Sequence, residues 1–247
     1  MAAAPQRQAR VKLRIATWNM HAGVGLDGRF APARIARVLE ELDADIVALQ
    51  EFGSRRAFDM LARLEQAAGA RGIAMPTFSK FGCDFGNVVL SRLPVLASAC
   101  IDLACDRREP RNAVDLVVDA GAAGRLRVVA THLGLGRAER ESQLTRLDAV
   151  LGEAGREPTV LLGDFNAWRS RALARFEAAF GRARAPATFP SPFPLAALDR
   201  ILVAPAAVLL ALDVHRSRIA RIASDHLPLV ATLDIGNSPS NRPSVAW

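Results

Sequence analysis

The 247-residue chain contains no tyrosine, only two lysines (Lys12 and Lys80) and three cysteines. Cys83, Cys100 and Cys105 are odd in number, give no disulfide framework and match no zinc spacing, so a reducing compartment is expected. Met1 to Arg10 has no apolar core, so no secretory signal is expected there. No run reaches the roughly 18–20 apolar residues of a membrane span. The longest candidate, Val203 to Leu212, is short and carries Pro205. These absences lead to the expectation of a soluble, cytoplasmic, monomeric protein without a transmembrane segment. Because lysine is scarce, 30 of the 32 basic residues are arginine, and the formal charge is +7. Much of this goes with an alanine- and arginine-rich composition. The planar guanidinium also suits phosphate, which it can meet with two hydrogen bonds. Charge thus supports an anionic substrate without choosing among nucleic acid, lipid headgroup and small ester.

What is present is enough to fold. Hydrophobic residues make up 51% of the chain, which excludes wholesale disorder and allows one large domain. That domain is expected over residues 11–235, between a flexible start (1–10) and a flexible tail (236–247). Strand patterns fall at Lys12–Trp18, Asp45–Gln50, Ala74–Phe78, Asn87–Ser91, Val95–Leu103, Ala113–Val118 and Leu126–Thr131. Further strands are expected at Thr159–Leu162, Arg200–Val203, Val208–Val214 and Leu227–Asp234. Helical spacing marks Pro32–Leu42, Arg55–Ala68, Ala138–Glu153 and Ser170–Phe180. The proline-rich stretch Arg182–Pro194 reads as a loop. Strands that alternate with helices, mixed with direct strand-to-strand runs, suggest mixed sheets covered by helices.

Four short segments carry the chemistry: Thr17-Trp18-Asn19, Leu49-Gln50-Glu51, Gly163-Asp164-Phe165-Asn166 and Ser224-Asp225-His226. Each puts a polar group at the end of an apolar, strand-like run, where catalytic residues of α/β proteins collect. Phosphate-ester hydrolysis needs a cation, an activated water and a proton for the leaving oxygen. Glu51 is the candidate metal ligand, with Asn19 and Asp225 supplying adjoining oxygens. Asp164 and Asn166, two residues apart, point to one side of an extended segment, so one can take a proton while the other orients water. The same spacing also suits an Asx turn. His226 and His132 can divide acid and base tasks, with Asp199 holding one imidazole. His21 is a possible cleft residue by proximity to Asn19, and His215 reads as surface.

In order along the chain, the segments TWN, LQE, GNVVLSR, EPR, THL, GDFN, LDRIL and SDH resemble the endonuclease/exonuclease/phosphatase superfamily, over nearly the whole folded length. The resemblance implies an α/β (α+β) four-layered sandwich, two packed mixed β-sheets flanked by helices, and dependence on Mg²⁺ or Mn²⁺. It implies metal-side roles for Asn19, Glu51 and Asp225, and phosphate contacts from Asn87 and Arg111, with Arg108 the competing arginine. His132 matches a phosphate-contacting or acid histidine, Asp164 and Asn166 the water-activating pair, and Asp199 with His226 the carboxylate–imidazole pair. Asp164 and His226 both stand as candidates for the base. The family's abasic-site endonucleases usually carry a tyrosine near the phosphate and lack a THL-type histidine, the reverse of this chain. The expected activity is a phosphodiesterase or phosphatase. A nuclease acting on DNA or RNA is the alternative, and a catalytically silent anion- or nucleic-acid-binding module a further one. A phospholipid headgroup is among the possible substrates.

Overall fold

Strands that are apolar on both faces need a covering layer on each side. The computed structural model describes residues 11–54, 59–80, 82–152, 157–167, 171–180 and 185–236, and supplies both layers. In chain order the elements are β1 (Val11–Asn19), α1 (Pro32–Leu42), β2 (Ile46–Gly53), α2 (Met60–Ala68), β3 (Arg71–Lys80), β4 (Cys83–Ser91), β5 (Val95–Asp102), β6 (Asn112–Asp119), β7 (Arg125–His132), α3 (Arg137–Gly152), β8 (Thr159–Asp164), α4 (Arg171–Ala179), β9 (Asp199–Ala204), β10 (Leu209–Val214), α5 (Ala220–Ala223) and β11 (Leu229–Ile235). One sheet runs β10-β11-β1-β2-β4-β3, the other β5-β6-β7-β8-β9. Both are mixed: β1–β2 and β7–β8 are parallel, and the other neighbours are antiparallel.

The two-residue period of a strand sorts its side chains between layers. In β1, Leu13 and Ile15 enter the core between the sheets, while Ala16 and Trp18 face outward under helices. The inner core joins Ile46, Val89 and Leu229 of one sheet to Val114, Val128 and Val160 of the other. Outside the first sheet lie α1, α2 and α5. Ile35, Val38, Leu39 and Leu42 of α1 are the buried stripe that their spacing predicts. Outside the second sheet, Leu144 and Leu147 of α3 pack with Phe176 of α4. Four layers result, as the resemblance implies.

The expected elements are present, with shifted ends. β2 runs on past Gln50 to Gly53, and α5 is too short for a helical period to register. Of the helix expected from Arg55, residues 55–58 lie outside the described residues. The described part begins after Asp59, whose carboxylate accepts the Ala62 N–H at 2.9 Å. Residues 1–10, 182–184 and 237–247 are likewise outside them; residues 185–194 have no regular structure beyond the bridge from Phe189 to Ala196. No helix among the described residues is long and apolar enough to cross a membrane. A parallel pair needs a crossover, supplied by α1 and by α3. The carboxyl ends of these two pairs carry Asn19 beside Gln50 and His132 beside Asp164.

Candidate active site

The first sheet brings Asn19 and Glu51 together. Pairing of β2 with β4 shifts register between Leu49 and Phe52, and there Glu51 adopts φ 53°. A side chain rarely takes this left-handed conformation, and the bulge turns Glu51 out of the strand's alternation into the cleft. Its Oε1 accepts from Asn19 Nδ2 at 3.0 Å. Beneath them the Gln50 amide donates to the Thr17 hydroxyl at 3.1 Å, both side chains fully buried. The polar residues of the two segments thus brace one another.

The second sheet adds Asp164, at the end of β8, paired with His132 on one side and Asp199 on the other. Gly163 makes that close approach possible: at φ +143° its added Cβ would meet the Thr131 carbonyl oxygen. The two oxygens of Asp164 divide their tasks. Oδ1 accepts the Asn166 backbone N–H at 2.8 Å, closing the Asx turn, and Asn166 itself sits at φ 48°. Oδ2 accepts from Asn19 Nδ2 at 3.1 Å and lies 3.7 Å from His132 Nε2 and 3.6 Å from His226 Nε2. The Asx turn is thus present, and the second oxygen of Asp164 faces both imidazoles.

The two imidazoles are held in opposite states. For His226, burial lowers the pKa, but Asp199, Asp164 and Asp225 outweigh it and push it up to about 9. Its Nδ1 is 2.9 Å from Asp199 Oδ2, which also accepts the Thr188 hydroxyl. For His132, burial is the main cause of a pKa lowered to about 4; Asp164 opposes it, while Arg111 and His226 add to it. Arg111, which offers only donors, donates to His132 Nδ1 at 3.2 Å. Asn166 Nδ2, which donates to the Leu133 carbonyl at 2.9 Å, lies 3.1 Å from His132 Nε2, so donor groups face both ring nitrogens. At neutral pH His226 is charged and His132 is not.

Asn87, buried in β4, donates to Asn112 Oδ1 at 2.9 Å, and Asn112 Nδ2 reaches the Met75 carbonyl at 3.1 Å. Arg111 pairs with Glu109 at 3.0 Å, and its buried Nε has no hydrogen bond among the described residues, leaving a donor for an anion. Arg108 is exposed outside the cleft, so Arg111 is the arginine that lines it. Asp225 stands half-buried on the rim, 3.3 Å from the Ser224 hydroxyl, which itself donates to the Asn19 carbonyl at 2.7 Å. Asn19, Glu51, Asn87, Arg111, His132, Asp164, Asn166, Asp225 and His226 all line one cleft of about 540 Å³. Asp199 is fully buried behind His226. His21 is exposed, 3.0 Å from the Val24 carbonyl, and does not line the cleft; His215 pairs with Glu41 at 3.0 Å. Sequence reasoning missed Asn112, Thr188 and Phe189, the last with its ring 4.9 Å from that of His226. Only Asn112, directly after Arg111, stands beside a residue already singled out.

Two donor sets bear on a metal. Among the described residues, ligand atoms of Asp164, Asp199 and His226 lie within 4.8 Å of one another. Asp199 Oδ2 is shared by His226 Nδ1 and the Thr188 hydroxyl, an arrangement that suits proton transfer, while its buried Oδ1 has no hydrogen bond among the described residues. Glu51 is less buried and faces the open cleft, where a cation can keep its waters. Asn19 Oδ1 accepts the His21 N–H at 3.1 Å while Nδ2 serves both carboxylates, so as placed Asn19 positions Glu51 and Asp164.

A model of the Endonuclease/Exonuclease/phosphatase family matches residues 16–226. The chain is 31% identical to the uncharacterized protein YbhP of Escherichia coli (strain K12), over 94% of this chain and 100% of that one. An endonuclease/exonuclease/phosphatase from Beutenbergia cavernae DSM 12333 superposes with a TM-score of 0.78 at 25% identity, covering 93% of this chain and 73% of its own. Truncated Caenorhabditis elegans TDP2 shares the fold, with a TM-score of 0.66 at 18% identity over 90% of this chain and 97% of its own.

Proposed function

From the chain's membership of the endonuclease/exonuclease/phosphatase family, we propose that its cleft hydrolyses a phosphodiester with the help of Mg²⁺ or Mn²⁺ bound at Glu51. Members of this family act on phosphate esters. The observation that carries the proposal is the hub at Asp164, a buried carboxylate within 3.7 Å of two buried imidazoles. A diester is favoured over a monoester because apolar Phe78, Phe85, Phe189 and Leu135 flank the polar floor and suit organic groups on both sides of phosphorus.

Phosphate oxygens are received by Arg111 and by charged His226, beside neutral His132. His132, with its pKa about 4, is no proton donor at neutral pH. Asp164 accepts the proton of the attacking water, which Asn166 orients. His226, steadied by Asp199, sets its positive charge against the developing negative charge of the transition state. Glu51, with Asp225 on the same cleft, would hold a divalent cation, which would supply neutralisation of phosphate and of the departing oxygen.

The test is turnover of bis(p-nitrophenyl) phosphate and p-nitrophenyl phosphate with Mg²⁺, Mn²⁺ or EDTA, beside plasmid DNA and RNA. Diester cleavage that needs metal and falls by about 10²–10⁴ in Asp164→Asn supports the proposal. Full activity in Asp164→Asn, or in EDTA, sinks it. Preference for nucleic acid would assign the cleft to the nuclease alternative.

A further inference from the structure

The three most exposed large apolar side chains among the described residues are Phe193 (79%), Leu135 (76%) and Leu195 (75%), and each is tied to the cleft or to the loop that lines it. Leu135 lines it, and Phe193 and Leu195 flank the loop of Phe189. Exposed Leu26 and Ile222 adjoin this rim: the Leu26 N–H donates to the Ile222 carbonyl at 3.1 Å, and neighbouring Arg221 donates to the Pro192 carbonyl at 3.2 Å. One exposed apolar residue needs no explanation, whereas five on loops linked to one another beside the cleft do.

The loops that carry these tips are braced. Arg140 donates to the carbonyls of Gly134 and Leu135. The Ser191 hydroxyl donates to the Ser224 carbonyl at 2.7 Å, and the Ser191 N–H to the Asp225 carbonyl at 2.7 Å. The apolar tips are thus fixed outward. Charge lies beside them: exposed Arg29 follows Leu26, and exposed Arg216 and Arg218 precede Ile222, in a chain of net charge +7.

We infer that this rim docks the cleft onto the surface of an anionic phospholipid bilayer, with apolar tips at the acyl boundary and arginines among the headgroups. Apolar area and basic charge are the two additive contributions to such binding. A nucleic-acid backbone would be met by cations rather than aliphatic tips. A second copy would require a continuous patch approaching about 1,200 Å² in total, not separate protrusions. Docking goes beyond the proposed reaction and does not depend on turnover.

The experiment is sedimentation of the full-length Asp164→Asn protein with vesicles of phosphatidylglycerol and phosphatidylcholine, and with phosphatidylcholine vesicles alone. Partition to the anionic vesicles is expected, weakened by salt and reduced about tenfold or more by Phe193→Ser with Leu195→Ser. Leu96→Ser and Leu210→Ser, in the edge strands β5 and β10 outside the rim, should leave it unchanged. Matching thermal melts confirm that all variants fold. Equal partition of tip and control variants overturns the inference, as does absence of binding to either vesicle. Dimer formation or retention on single-stranded DNA that needs the tips, without vesicle binding, also overturns it and reassigns the surface.

Discussion

Glu51 combines a strained backbone with the proposed metal contact, and the two can be separated by substitution. At φ 53° a glycine is unstrained, so Glu51→Gly should keep or raise stability, by roughly 1 kcal/mol, while removing metal-dependent turnover. A lower melting temperature with retained turnover would contradict both roles. The histidines give a pH signature in the metal-free protein. His132, depressed to about 4, contributes stability above its unfolded value near 6.5 and loses it as pH falls through about 4. His226, raised to about 9, contributes stability below 6.5 and loses it as pH rises through about 9. Their joint contribution therefore peaks near pH 6.5, and His226→Asn should flatten the alkaline limb alone. An unchanged alkaline limb in that variant, followed by thermal melts in EDTA, would show that the charge of His226 is not held by Asp199.

Elements explain which parts of the site were legible in sequence. Asn19, Glu51, His132 and Asp164 could be read because each ends or follows an apolar run whose strand character is plain, and a chain reversal must follow. Thr188 could not, since a threonine in a proline-rich loop carries no periodic signal, and its contact with Asp199 is made only in three dimensions. Asn112 begins a strand like any polar residue; its grip on Asn87 and Met75 depends on how the sheets face each other. Strand order was closed to sequence for a similar reason: a period of two says which side chains share a face, not which strand lies alongside. The bulge at Glu51 breaks that period, and a single carboxylate in a strand offers no warning of it. Backbone approach is testable at glycine. Gly163→Ala sets a Cβ against the Thr131 carbonyl and should cost roughly 3 kcal/mol or more in chemical denaturation. Gly69→Ala, at φ +59° but with nothing within 4 Å, should cost only about 1 kcal/mol. Equal costs at the two positions would mean that β7 and β8 are not held so closely.

At the scale of the whole molecule, the cleft belongs to neither sheet. Asn19 and Glu51 come from one, His132, Asp164 and Asp199 from the other, and Asn19 bonds across to Asp164 at 3.1 Å. A cation bound at Glu51 should therefore stabilise the entire fold by mass action, about 2.7 kcal/mol at a concentration one hundred times Kd. The readout is a rise in melting temperature with Mg²⁺ or Mn²⁺ that is absent in Glu51→Gln. A rise of equal size in that variant would place the cation elsewhere, with the Asp164, Asp199 and His226 group the next to test. Pairing between the ends of the described chain has its own consequence. β1 lies between β2 and β11, with Val11 opposite Ile235, and the Trp18 indole donates to the His226 carbonyl at 2.9 Å. A ribosome makes β1 more than two hundred residues before β11. Until then the first strand has one edge open, and long-range pairing of this kind is slow. Order of synthesis and order of assembly run against each other, so the nascent chain must wait with an unsealed edge, and its cleft comes into being only as β11 closes the sheet.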